Sequence, residues 1–139
     1  MTKYCAQSSY GKVDNKTILE QSDDIAHVKW GGNWRMPTKA EFNELRNNCT
    51  WTWTTQNGVK GYKVTSNMPG YTSKSIFLPA AGGRYYTNIS DVGSYGYYWS
   101  SSLDAGYSDY AYGLGFNADY VYTDYGLRYL GQSVRPVSE

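Results

Sequence analysis

The chain has 139 residues, among them 16 Tyr, 5 Trp, 3 Phe and 15 Gly, with 40% hydrophobic and 18% charged residues. A domain of this length buries roughly 68% of its unfolded surface, enough for a core without staples, and the aromatic content excludes intrinsic disorder. A formal net charge of +1 sets up no field toward nucleic acid or an anionic membrane, so neither is expected as a partner.

The polar opening MTKYCAQSSYGKVDNK lacks the apolar stretch of a signal peptide, and no window approaches a transmembrane span, so direct membrane insertion is not expected. Cys5 and Cys49 do not make a disulfide framework; two reduced thiols are the favoured reading over a bridge. Three sequons, at Asn15, Asn48 and Asn88, read as chance in an Asn- and Thr-rich chain.

In chain order, Ser22 to Trp30 reads as a short helix. Ser22 is its expected cap, Asp23 and Asp24 favour its positive end, Ile25 and Val28 share a face, and Gly31 ends it. A second helix is expected from about Thr38 to Asn47, because Thr38 and Glu41 have capping-box spacing after Pro37 and Phe42 and Leu45 follow inward. Short strands follow at 50–54, 61–66, 75–79, 97–101, 110–116, 120–122 and 133–137, with Asn57-Gly58 as a hairpin turn between the first two. Two early helices and many aromatic strands indicate one α+β domain, residues 1–139, with antiparallel sheet.

Motifs for catalysis are missing. His27 is the only histidine, and it reads as a partly buried helix residue. No nucleophile elbow, Walker loop, CxxC pair or EF-hand loop occurs, and the eight Asp are dispersed. No enzyme, metal or cofactor is expected.

The segments Trp30-Gly-Gly-Asn-Trp-Arg-Met-Pro-Thr-Lys-Ala-Glu-Phe42, Tyr98-Trp-Ser-Ser-Ser102 and Ser133-Val-Arg-Pro-Val137 together resemble the major paralogous (FISUMP-type) domain. That C-type-lectin-like module is related in fold to formylglycine-generating enzymes and to variable proteins of diversity-generating retroelements. The likeness spans roughly residues 18–137 and implies two short helices packed on antiparallel sheets with long loops. It implies no chemistry: the calcium-lectin motifs are absent, and Cys5 and Cys49 do not match the active-site cysteine pair of the oxidases. Trp30, Trp34, Trp99, Arg35, Arg135 and Pro136 are expected to be scaffold, with the Trp-rich first part supplying the core.

Charge and tyrosine then single out the tail. Residues 1–94 carry eleven Lys and Arg against seven Asp and Glu, whereas residues 95–139 carry two against five, together with ten of the sixteen Tyr. Retroelement-diversified proteins vary at AAC-type codons, which cannot become Lys, Glu, Gln, Met or Trp. Residues 104–130 contain none of those five types, while the other 112 residues contain 24. A Tyr-rich strand-and-turn region is the alternative account of this depletion.

Ala111, Leu114, Phe116, Val121, Arg128 and Gly131 fit the fixed positions of such modules. Tyr107, Asp109, Tyr110, Tyr112, Gly113, Gly115, Asp119, Tyr120, Tyr122, Asp124, Tyr125, Leu127, Tyr129 and Leu130 fit variable, outward-facing ones. Tyr gives large amphipathic contact with only two torsions to freeze, as in antibody paratopes. Seven such Tyr burying about 100 Å² each would approach the ~800 Å² that one partner contributes to a standard interface. The expected function is therefore non-enzymatic binding of a protein or glycan through a diversified surface, on a bacterial cell surface or a phage tail. A carbohydrate-binding module and a relic of a formylglycine-generating enzyme are the alternatives.

Overall fold

The structure, a computed structural model, describes residues 1–138. Two helices, α1 (Ile25–Trp30) and α2 (Lys39–Asn48), flank the two-residue strand β1 (Trp34–Arg35). Then come β2 (Cys49–Gln56), β3 (Val59–Ser66), β4 (Ser75–Pro79), β5 (Gly83–Tyr85), β6 (Asn88–Ser90), β7 (Gly96–Leu103), β8 (Tyr110–Phe116), β9 (Val121–Leu127) and β10 (Val137–Ser138). They form two three-stranded sheets, β2-β3-β4 and β7-β8-β9, and two ribbons, β5-β6 and β1-β10. Every pairing between named strands is antiparallel, and the first strand pairs with the last. The α+β class expected from the sequence is what the chain adopts. No helix among the described residues is long and apolar enough to cross a membrane.

Local chemistry explains most boundaries. Thr38 caps α2 through the Glu41 amide while the Glu41 carboxylate accepts from the Thr38 amide, the full reciprocal box. Asn57 and Gly58 both take positive φ, 49° and 79°, so the β2-β3 hairpin closes with Gln56 opposite Val59. α1 departs from expectation: its cap is Asp24 rather than Ser22, with one carboxylate oxygen accepting from Ala26 and His27. The other oxygen accepts from the Met36 amide at 2.8 Å. That clamp turns Ala26 inward and leaves Ile25 and Val28, the expected inner face, exposed.

The core lies where α2 meets both three-stranded sheets. Phe116 is its centre, with ring centroids of Tyr62, Tyr98, Trp51 and Trp53 at 5.4, 5.9, 6.4 and 6.4 Å. Phe42, Val64, Leu78, Ala80 and Leu114 complete it, with Leu45 and Ile76 packed at its margin. A smaller cluster joins Tyr4, Leu103 and Ala111 to Leu19 and Trp99.

The expected scaffold role fails for Trp30 and Trp34. They are 59% and 42% exposed and pack edge to face on each other, 5.8 Å apart, outside both clusters. The tryptophans that reach the core are Trp51 and Trp53, because they alternate inward on β2 opposite Val64 and Tyr62. Arg35 is half-buried and holds Glu41 bidentately at 2.8 and 2.7 Å, while Arg135 is exposed. Cys5 is buried, Cys49 half-buried, and both are free.

Candidate ligand-binding surface

Residues 104–130 build β8, β9 and the loops around them, and strand pleating sorts their side chains onto two faces. On one face, Leu114 and Phe116 of β8 lie beneath α2. Thr123 of β9 is tied to the same helix by hydrogen bonds with Asn43 at 2.6 Å and Arg46 at 3.2 Å. Two residues up the strand the same face carries Tyr112, opposite Tyr125, and then Tyr110, opposite Leu127. Here α2 has just begun: Lys39, its first residue, sets its ammonium over the Tyr112 ring at 3.5 Å. Beyond it the rings of Tyr107, Tyr110 and Tyr125 form a chain, with centroid separations of 6.1 and 5.7 Å.

This helix-side cluster rests on a fixed loop. The Asp104 carboxylate accepts from the Gly106 and Tyr107 amides at 2.8 and 2.9 Å. It also accepts from the Tyr112 hydroxyl, which holds Asp104 below the usual carboxylate range and raises Tyr112. From the N-terminal segment, Ala6 donates to the Ser108 hydroxyl at 2.8 Å. Arg128 bridges the Tyr4 and Ser108 carbonyls at 3.2 and 2.9 Å. Asp109 sits beside this bridge with one carboxylate oxygen buried and without a hydrogen-bond partner.

The opposite face is open. Gly113, Gly115, Tyr122, Asp124 and Gly126 belong to it, with Tyr97 and Trp99 of β7 alongside. Gly113 and Gly115 are buried and do not face out, correcting the reading of both as variable contact positions. A Cβ at Gly113 would stand 2.6 Å from the Tyr98 carbonyl oxygen, and one at Gly115 would stand 2.5 Å from the Tyr122 ring. They form the floor on which Tyr122 lies.

A wall rises beside that floor. The β5-β6 hairpin is joined to the 128–132 loop by a reciprocal pair of bonds between the Arg84 and Gly131 backbones, 2.7 and 2.8 Å. Between wall and floor runs a cleft with a lobe of about 290 Å³ bounded by Tyr85, Tyr97, Asp124, Leu130 and Gln132. A neighbouring hollow of about 400 Å³ lies against the wall itself, bounded by Arg84, Tyr85, Tyr86, Tyr129 and Gly131. The Tyr97 hydroxyl is pushed up to about 12, by burial first and then by the nearby Tyr122, Asp91, Tyr95 and Asp124. Burial also raises Asp124.

The fourteen anticipated residues are therefore divided. Tyr107, Tyr110, Tyr112, Tyr125 and Leu127 are on or beside the helix side. Asp124, Tyr129 and Leu130 border the cleft, and Tyr122 lies against Gly115 on the same face of the sheet. Asp119 and Tyr120 sit at the β8-β9 turn, where the Asn117 side chain accepts from both amides at 2.9 and 3.0 Å. Seven coplanar tyrosines do not exist, and the four on the helix side offer about 400 Å² of contact. What links the groups is β9, the outer strand of its sheet, since a partner meeting that edge reaches both faces.

Sequence reasoning missed Arg84, Tyr85, Tyr86, Tyr97 and Gln132. They lie outside the depleted window, and the only signal was the aromatic pairs Tyr85-Tyr86 and Tyr97-Tyr98 in short strand segments. Among the described residues no three His, Cys, Asp or Glu gather in a metal-holding group.

Comparison with known proteins places this region. Residues 53–137 match the family described as Domain of unknown function (DUF8237). The chain belongs to that family. The matched stretch takes in the whole of the 104–130 segment and the β5-β6 wall, whereas α1, α2 and Lys39 precede it. No curated protein and no solved structure matches the chain.

Proposed function

We propose that this DUF8237 member is a non-enzymatic ligand-binding domain of C-type-lectin-like fold. Its binding surface is the tyrosine-bearing segment 104–130, wrapped around the outer edge of β9, diversified by a retroelement and displayed on a bacterial surface or a phage tail. The observation that carries the reading is a partition within one short stretch. Tyr107, Tyr120, Tyr125 and Tyr129 are 61–70% exposed, while Ala111, Leu114 and Phe116 between them are buried. Exposed tyrosines on hydrogen-bonded loops and a rigid sheet lose little entropy when a partner covers them.

The enzyme relic is disfavoured by its cysteines. A nucleophilic thiol needs a depressed pKa, whereas burial pushes Cys49 up. Cys5 is wholly buried, with its Sγ 3.0 Å from the Gln7 carbonyl.

Two experiments test the proposal. Sequencing the flanking DNA should find a near-copy of the 104–130 codons with adenines at the exposed positions, beside a reverse transcriptase; its absence overturns diversification. Binding is tested by panning a peptide and glycan library against the wild-type domain and a Tyr107, Tyr125, Tyr129 triple alanine variant. Wild-type-only retention supports the reading, and equal retention contradicts it.

A further inference from the structure

We propose that the cleft between the β5-β6 hairpin and the open face of β8-β9 binds a neutral saccharide without calcium. The inference deepens the binding reading and rests on it through the 124–130 stretch, whereas Arg84, Tyr85, Tyr86, Tyr97 and Gln132 lie outside the tyrosine-rich segment.

The cleft has the size and chemistry of a small-ligand site. Its two hollows, of about 290 and 400 Å³, are neighbours with Arg84, Tyr85 and Gly131 in the wall of each. Together they suit a ligand of two or three rings, within the roughly 300–1,000 Å³ typical of such pockets. The walls are aromatic: Tyr85 lies 4.5 Å from Tyr86 and 5.8 Å from Tyr129, and Tyr97 stacks on Tyr95 at 5.9 Å with planes 5° apart. A pyranose presents a face of C–H groups that fits such rings and a rim of hydroxyls that both donate and accept.

Partners for that rim are waiting in the cleft. The Tyr97 hydroxyl and the Gln132 amide are in the lining of the first hollow. The Asp124 carboxylate has only the Tyr125 amide, at 2.9 Å. Arg84 is oriented by its Nε, which donates to the Tyr86 carbonyl at 2.8 Å, and it lines both hollows. One cation and one carboxylate balance, which favours a neutral ligand over an acidic one.

Tyr86 adds an independent observation. It is the first of the two residues closing the β5-β6 turn, at φ 51°, where Asn or Gly is the usual occupant. It is also 80% exposed, meeting the Tyr85 ring edge to face. An exposed aromatic held at a strained turn position on the rim suits a contact role.

The test uses the full chain in the presence of EDTA. An array of neutral glycans identifies binders, and ¹⁵N chemical-shift titration with maltotriose, cellotriose and triacetylchitotriose locates them. The expected result is at least one neutral glycan that saturates, with shifts centred on Tyr85, Tyr86, Tyr97, Asp124 and Gln132. Tyr86→Ala and Asp124→Asn should each weaken it at least tenfold with unchanged dispersion elsewhere in the spectrum. Binding only of acidic glycans, chelator-sensitive binding, or no glycan binding at all overturns the saccharide assignment. If library peptides instead bind and a Tyr107→Ala, Tyr110→Ala double variant, which leaves the cleft lining intact, abolishes that, the binding surface stands and only its ligand class is wrong. Loss of both glycan and peptide binding removes both readings.

Discussion

Within the single strand β8, residues on one face meet opposite fates. Leu114 and Phe116 are fully buried under α2 and the β2-β3-β4 sheet, while Tyr110 and Tyr112, four and two residues before Leu114 on the same face, stay half-exposed. Pairing with β9 is regular along the whole strand, while the register with β7 shifts between Gly113 and Ala111. The helix starts at Lys39, over Tyr112, and covers only what lies beyond. Tyrosine exposure here is set by where a neighbouring element begins, so one strand serves as core at one end and contact surface at the other.

That contrast can be broken at its buried end first. Phe116→Ala removes the ring around which Trp51, Trp53, Tyr62 and Tyr98 pack. It should lower the unfolding free energy in urea by about 3–5 kcal/mol. Gly113→Ala forces a methyl against the Tyr98 carbonyl oxygen, a backbone atom that cannot swing aside. A loss of about 1–3 kcal/mol is expected in the same assay.

The next effect depends on pH. Arg35, followed by the Thr38 bonds, holds the Glu41 carboxyl down from its ordinary 4.5 to about 2. A depressed carboxyl stabilises the fold above its unfolded value, and that stability is lost as pH falls from about 4.5 to 2. The side chain is 34% exposed, so screening reduces the contribution to about 1–2 kcal/mol. Glu41→Gln should cost that much at pH 7 and flatten the stability profile across this acid window. An unchanged slope would show that the Arg35-Glu41 pair does not fasten the start of α2. Smaller again, Tyr120→Ala at the β8-β9 turn should change stability by less than about 0.5 kcal/mol.

Legibility in the sequence followed the range of the interaction that decides each feature. The α2 capping box, the Asn57-Gly58 hairpin and the bounds of β4 and β8 are fixed by neighbours a few residues apart, and they were readable. The Asp24 cap of α1 was not, because its second oxygen is engaged by Met36, twelve positions on. β1, β5 and β6 are too short for a periodic signal. The strand expected at 133–137 shrinks to Val137–Ser138, with Ser133 bonded to β7 only as a bridge. The β9 strand runs to Leu127 rather than stopping at Tyr122, since it is selected by pairing with β8 along its whole length.

For the candidate surface, composition located the segment but not its geometry. Alternation told Leu114 and Phe116 from Tyr110 and Tyr112 only once α2 was in place. Gly113 and Gly115 looked like small contact residues, yet their role is to admit the Tyr98 backbone and the Tyr122 ring. The cleft itself brings Tyr85 beside Tyr129, a long-range approach that no local pattern announces.

The central claim is that exposed tyrosines of 104–130 serve contact and not folding. Its most direct test is the urea unfolding free energy of the Tyr107, Tyr125, Tyr129 triple alanine variant, set beside Phe116→Ala. Surface substitutions of this kind change stability by about 0.5 kcal/mol each at most, so the triple variant should lose no more than about 1.5 kcal/mol. A loss matching that of Phe116→Ala would make these tyrosines part of the core and contradict the account.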